Sequence, residues 1–103
     1  MIDKTKIIKT VTERLEELPL GHYLDLRTYK RNRSVIIVKE GKEEVLVIEN
    51  GYFQEKFELK QEKLKKLLKT LLKKEFPRSN KIRLYIMGEF RENEAQNLKR
   101  KIL

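Results

Sequence analysis

The chain has no cysteine, no tryptophan and one histidine, and each scarcity removes a class of chemistry. Without cysteine there is no disulfide framework, no thiolate nucleophile and no Cys/His zinc site. His22 is the one imidazole, and Ser34 and Ser79 are the two serines, a poor supply for a Ser-His-Asp triad. Next to Gly21, His22 reads as a turn residue at the start of a strand. The four glycines, at 21, 41, 51 and 88, stand alone, so neither a Walker loop nor a dinucleotide fingerprint is present. No stretch approaches the roughly 18 apolar residues of a membrane span. The opening MIDKTKII lacks the apolar run of a signal peptide. A cytoplasmic protein with no membrane partner, no cofactor, no metal ligand and no catalytic residue is the expectation.

What the chain has in abundance is charge. Of its 103 residues 40% are charged and 39% apolar, enough apolar content for one domain with one modest core. A charge content dominated by Lys and Glu matches the bias of heat-adapted intracellular proteins. The net charge of +9 is unevenly placed. Residues 1–50 hold ten Lys/Arg against nine Asp/Glu, and residues 51–103 hold fifteen against seven. Between 60 and 83 the count is ten against two. Such a local field favours a polyanionic partner such as nucleic acid, an anionic membrane or an acidic protein surface, and the membrane ranks last because there is no Trp and the leucine face of the lysine-rich segment is needed to cover the sheet. The competing explanation is a solvated lysine face without a partner.

The clearest periodicity lies in 61–76, QEKLKKLLKTLLKKEF, where Leu64, Leu67, Leu68, Leu71 and Leu72 follow the spacing of one helical face. Lys65, Lys66, Lys69 and Lys73 crowd the opposite arc. Upstream, Asp3 is placed to cap a helix running to Leu18, with Ile7, Ile8, Val11, Leu15 and Leu18 on one arc and Pro19-Leu20-Gly21 as its stop. From 22 to 59 the period becomes two, predicting strands at 22–30, 34–39, 44–49 and 52–59 joined as an antiparallel meander. Asn50-Gly51 reads as a tight type I′ turn, because both residues tolerate positive φ. The second and third strands are apolar on both faces and therefore central. A fifth strand at 81–87 can pair with the first or the fourth, and a short helix at 91–103 ends the chain. The predicted fold is α+β, a five-stranded mainly antiparallel sheet with two or three helices in the order α-β-β-β-β-α-β-α. If the helices share one face, the other requires a second copy, so a homodimer is expected.

Two constellations bear on function. Asp25 followed by Glu40-Gly41-Lys42 resembles the core of the P-D…(D/E)-x-K nucleases, a likeness covering about residues 22–48. It implies Mg²⁺ held by the carboxylates and phosphodiester hydrolysis aided by the lysine. The pattern departs from that family in having no proline before Asp25 and a glycine that puts the triplet in a hairpin turn. The other constellation interleaves aromatic and basic residues, with Tyr23, Arg27 and Tyr29 on the first strand and Arg83 and Tyr85 on the fifth. Aromatic faces stack unpaired bases while cations meet phosphates. The same residue types are frequent on ordinary solvated sheet faces, which is the bland alternative.

These features favour a small basic protein that binds nucleic acid non-catalytically and with weak sequence specificity. Lys65, Lys66, Lys69, Lys73, Lys74, Arg78, Lys81 and Arg83 would supply charge, and Tyr23, Arg27, Tyr29 and Tyr85 the sheet contacts. The alternative is a structural or protein-interaction module without nucleic acid. A metal-dependent nuclease is third.

Overall fold

The computed structural model describes residues 1–30, 32–91 and 100–103, apart from the Arg100 side chain. In chain order these form β1 (Ile2–Asp3), α1 (Ile7–Glu17), β2 (His22–Arg27), β3 (Ser34–Lys39), β4 (Glu44–Asn50) and β5 (Gln54–Lys60). A single turn of 3-10 helix (Gln61–Lys63) leads into α2 (Leu64–Glu75), followed by β6 (Lys81–Glu89) and β7 (Arg100–Ile102). The fold is α+β, with a mixed seven-stranded sheet ordered β1-β6-β2-β3-β4-β5-β7.

Both helices lie on one face of the sheet. Ile7, Val11, Leu15 and Leu18 from the first helical segment, and Leu64, Leu68, Leu71, Leu72 and Phe76 from the second, share a core with Leu24, Leu26, Val35, Ile37, Val45, Val47, Phe57, Leu59 and Ile82. Strand alternation sends the other side chains to the opposite face. There Val38, Leu46 and Ile48 form a smaller buried cluster with Tyr23, Ile36 and Phe90 packed against it. The double burial of β3 and β4 follows from their apolar runs, and their central place in the sheet satisfies it.

Helix C-termini leave carbonyls without partners, and here cations from other elements satisfy them. Lys39 Nζ donates to the Leu15 carbonyl at 2.7 Å, Lys4 Nζ to that of Phe76 at 2.6 Å, and Arg33 Nη1 to that of Glu75 at 3.0 Å. Each contact also places positive charge at the negative end of a helix dipole.

Several expectations need correction. The sheet has seven strands because short strands were added at both edges. Asp3 does not cap α1, whose N-cap is Lys6 with no side-chain cap bond. It lies in β1 opposite Lys81, while Ile2 lies opposite Ile82, and pairing next to the buried Ile82 outweighs a capping bond. The terminal helix is overturned at 100–102, which form a strand parallel to β5 with Lys101 Nζ 2.7 Å from Glu55 Oε1. The rest of that expectation, 92–99, lies outside the described residues. The fifth predicted strand takes the first of its two options and pairs antiparallel with β2. Among the described residues the loop after Asn50 spans Gly51, Tyr52 and Phe53, and positive φ occurs at Gly21 and not at Gly51.

Because Leu68 and Leu71 are each 1% exposed, Leu68→Ala or Leu71→Ala should each cost about 2–5 kcal/mol through lost burial and the cavity left behind. Lys69→Ala, on the solvent side of the same helix, should stay within about 0.5 kcal/mol. Thermal denaturation of the three variants checks this, and equal melting temperatures would refute the packing of α2.

Candidate nucleic-acid interface

In an antiparallel meander alternate turns fall at the same end of the sheet. The β2–β3 loop and the β4–β5 loop therefore lie together, and α2, which runs antiparallel to β5, brings the 76–80 loop to the same end before β6. Tyr29, Lys30, Arg33, Tyr52, Arg78 and Ser79 line a groove there of about 550 Å³. Three aromatic rings stand out at this end, with Tyr29 67%, Tyr52 65% and Phe53 52% exposed. Each carries a cation. The Arg33 guanidinium lies 3.5 Å from the Tyr52 centroid, Arg83 5.0 Å from that of Tyr29, and Lys74 Nζ 4.4 Å from that of Phe53. Ring quadrupoles attract such cations, and the opposite faces of exposed rings remain a surface for planar ligands.

Buried acids anchor the aromatic loop from below. Both carboxylate oxygens of Glu75 accept the Tyr52 N–H, at 2.8 and 2.9 Å. Glu75 is fully buried, and a Cβ at position 51 would collide with its carboxylate. Gly51 is thus required by close approach rather than by backbone conformation. Glu49, next to it in the fold and also fully buried, has no hydrogen bond to either carboxylate oxygen among the described residues. Lys74 Nζ lies 3.7 Å from its Oε2. Burial pushes the Glu49 carboxyl above its ordinary 4.5, against the opposing pull of Lys74 and with help from the Glu75 charge.

The residues singled out from sequence divide between two sides of the sheet. Lys65, Lys66, Lys69 and Lys73 are exposed on the outer surface of α2. On the opposite face, pairing of β2 with β6 sets Asp25 opposite Tyr85 and Arg27 opposite Arg83, so those two strands do form one patch. It is not an open stacking platform. Tyr23 is half-buried edge-on against Phe90 at 5.3 Å, and Tyr85 is also half-buried. Arg27 directs Nε and Nη2 to Asp25 Oδ2, both at 2.9 Å. Burial raises the Asp25 carboxyl above its usual value, with Arg27 opposing.

Tyr29, Lys74, Arg78, Lys81 and Arg83 fall at the groove end. Arg83 Nε donates to the Tyr29 carbonyl at 3.1 Å, and Lys81 Nζ lies 3.5 Å from Asp3. Sequence reasoning missed Lys30, Arg33, Tyr52 and Phe53, taking them for turn or strand residues. The alternation of turns in the predicted meander was the signal that would have joined them. The opposite end of the sheet gathers Glu40, Glu43, Glu44 and Glu62 around Lys42 and Lys60, with Gln61 N bonded to the Glu43 carbonyl at 2.7 Å. Asp25 pairs with Ile36, four residues short of Glu40, which strand geometry makes about 13 Å. The nuclease-like residues are therefore not assembled. Among the described residues no group of three or more His, Asp or Glu is placed to hold a metal ion.

No helix is long and apolar enough to cross a membrane among the described residues. Comparison of the chain with protein-family models, with curated proteins and with solved structures gives no match.

Gly51→Ala should lose about 1–3 kcal/mol, since the new methyl group must displace the buried Glu75 carboxylate, and chemical denaturation measures it. For Glu49 the folded-state pKa lies above the unfolded one, so the folded protein holds the proton longer. Stability contributed by this group is therefore present below about pH 4.5 and is lost as pH rises through the raised folded value. Glu49→Gln should gain stability relative to the parent across that interval and keep the gain at neutral pH. A difference between the two that does not change with pH would contradict the assignment.

Proposed function

We propose that the chain is a cytoplasmic, non-catalytic nucleic-acid-binding domain that holds a single strand at its basic end. The observation that carries this reading is the set of three exposed aromatic rings at one end of the sheet, each paired with a cation, two of which, Tyr29 and Tyr52, line one groove. Tyr29 and Tyr52 offer faces to unpaired bases, while Lys30 and Arg78, which line the same groove, meet the phosphates, and Lys81 adds charge at the same end. Base stacking is tolerant of sequence, because every base has a π-face. Stacking of this kind favours weak sequence specificity. The lysines on the outside of α2 extend the positive field over a second surface and draw the polyanion in at long range.

The test is titration of short single- and double-stranded DNA and RNA over a salt series. Single strands should bind more tightly than duplexes, with a log–log salt slope of about 0.7 for each phosphate neutralised. Removing a stacking ring costs about 1–3 kcal/mol, so Tyr52→Ala should weaken single-strand binding roughly tenfold and leave duplex binding little changed. Charge reversal at Lys66 and Lys69 should weaken every sequence alike and flatten the slope. Absence of binding to any of the four polymers at low salt would refute the proposal and turn attention to an acidic protein surface as the partner.

A further inference from the structure

We infer, on the premise of single-strand binding at the basic end, that Asn32 reads one base of the bound strand and selects one with adjacent hydrogen-bond acceptors, cytosine or guanine. Asn32 lines the groove together with the two stacking rings, Tyr29 and Tyr52. It is exposed, so its amide is open to a ligand. The amide is also fixed in orientation. Thr28 Oγ1 donates to Asn32 Oδ1 at 2.9 Å. Thr28 is 7% exposed, so the hydroxyl that holds the amide is itself set in the interior. The Thr28 N–H donates to the Arg33 carbonyl at 3.3 Å, which ties together the two ends of the β2–β3 loop. With Oδ1 turned to the buried hydroxyl, the planar amide presents Nδ2 and its two N–H donors on the other side. No hydrogen bond engages Nδ2 among the described residues.

That orientation decides which bases fit. An unconstrained asparagine pairs well with adenine, because Oδ1 accepts from N6 while Nδ2 donates to N7. Here Oδ1 is held by Thr28, so the side chain offers the groove donors alone. A donor group is matched by a base edge with two neighbouring acceptors. Cytosine has N3 beside O2, and guanine has N7 beside O6. In adenine the N6 amino group stands beside both N1 and N7, and in thymine or uracil the N3–H separates O2 from O4. Each of those edges sets a donor next to the acceptor that Nδ2 would approach. A donor left without a partner in a filled site costs more than one hydrogen bond gains. One base read in this way gives a preference for composition, while stacking and phosphate contacts hold the rest of the strand regardless of sequence.

Fluorescence anisotropy of the full chain with labelled oligo(dC), oligo(dT) and oligo(dA) of one length, at neutral pH and low salt, is the test. The parent should bind oligo(dC) more tightly than oligo(dT), whose bases are also single rings, by roughly fivefold to a hundredfold, the range for a base edge that is read. Asn32→Ala should remove this difference by weakening the binding of oligo(dC). Thr28→Val deletes the hydroxyl and keeps the branched shape, which frees Oδ1 and lets the amide turn. Affinity for oligo(dA) should then rise relative to that for oligo(dC), a gain that a merely disordered loop would not produce. Equal affinities of the parent for oligo(dC) and oligo(dT), or a preference that survives Asn32→Ala, would overturn the role of Asn32 and leave single-strand binding standing. An unchanged ratio of oligo(dA) to oligo(dC) in Thr28→Val would overturn the held amide as the selector. Absence of binding to all three polymers would overturn this role and single-strand binding together.

Discussion

The basic end depends on one buried contact, the Glu75 carboxylate accepting the Tyr52 N–H with both oxygens. It ties the last turn of α2 to the loop that carries Tyr52 and Phe53. Arg33 bonds the backbone carbonyl of the same Glu75, so the β2–β3 loop is drawn to the same point. A hydrogen bond to a buried charged acceptor is worth more than one between neutral groups, and leaving such an acceptor without partners costs more still. Gly51 is the residue that leaves space for this arrangement. Three segments far apart in sequence thus meet at one end of the sheet, and the exposed rings ride on a rigid base.

That base gives the molecule a polarity. Lys30, Arg33, Lys74, Arg78, Lys81 and Arg83 gather at or near the end where Glu75 and Glu49 are buried and spent on internal contacts. The exposed carboxylates Glu40, Glu43, Glu44 and Glu62 collect at the other end, with lysines among them. A polyanion approaching such a molecule is oriented before contact, since field is concentrated over the concave, cation-lined end. The outer lysines of α2 lie between the ends and widen the attracting surface without offering rings for stacking. Buried Glu49 is the cost of this design: among the described residues its carboxylate oxygens have no hydrogen-bond partner, and burial beside the Glu75 charge raises its pKa against the pull of Lys74.

Much of the architecture could be read in the chain because its strongest signals are local. The leucine spacing of 64–72 defines α2 whatever surrounds it, and the doubly apolar runs 35–38 and 45–48 demand central strands. The edge strands had no such signal. Ile2–Asp3 and Arg100–Ile102 are too short to show a period and take their conformation from the edges they meet. Gly51 was read as a turn former, when its absent side chain makes room for a glutamate 24 positions away. The candidate site was half legible. Tyr29, Lys74, Arg78, Lys81 and Arg83 were marked by type and do gather, whereas Tyr23 and Tyr85 proved half-buried. Arg33, Tyr52 and Phe53 acquire meaning only when the turns of the meander are placed in space.

The most direct measurement is a residue-resolved NMR titration of the protein with a short single-stranded oligonucleotide at low salt. The amides of Tyr29, Lys30, Arg33, Tyr52, Phe53 and Arg78 and the ring protons of Tyr29 and Tyr52 should shift together and saturate together. The outer residues of α2 should shift less, and those around Tyr23 and Tyr85 least. Shifts confined to the α2 lysines or to the face opposite the helices, with Tyr29 and Tyr52 unmoved, would contradict the basic end as the binding site.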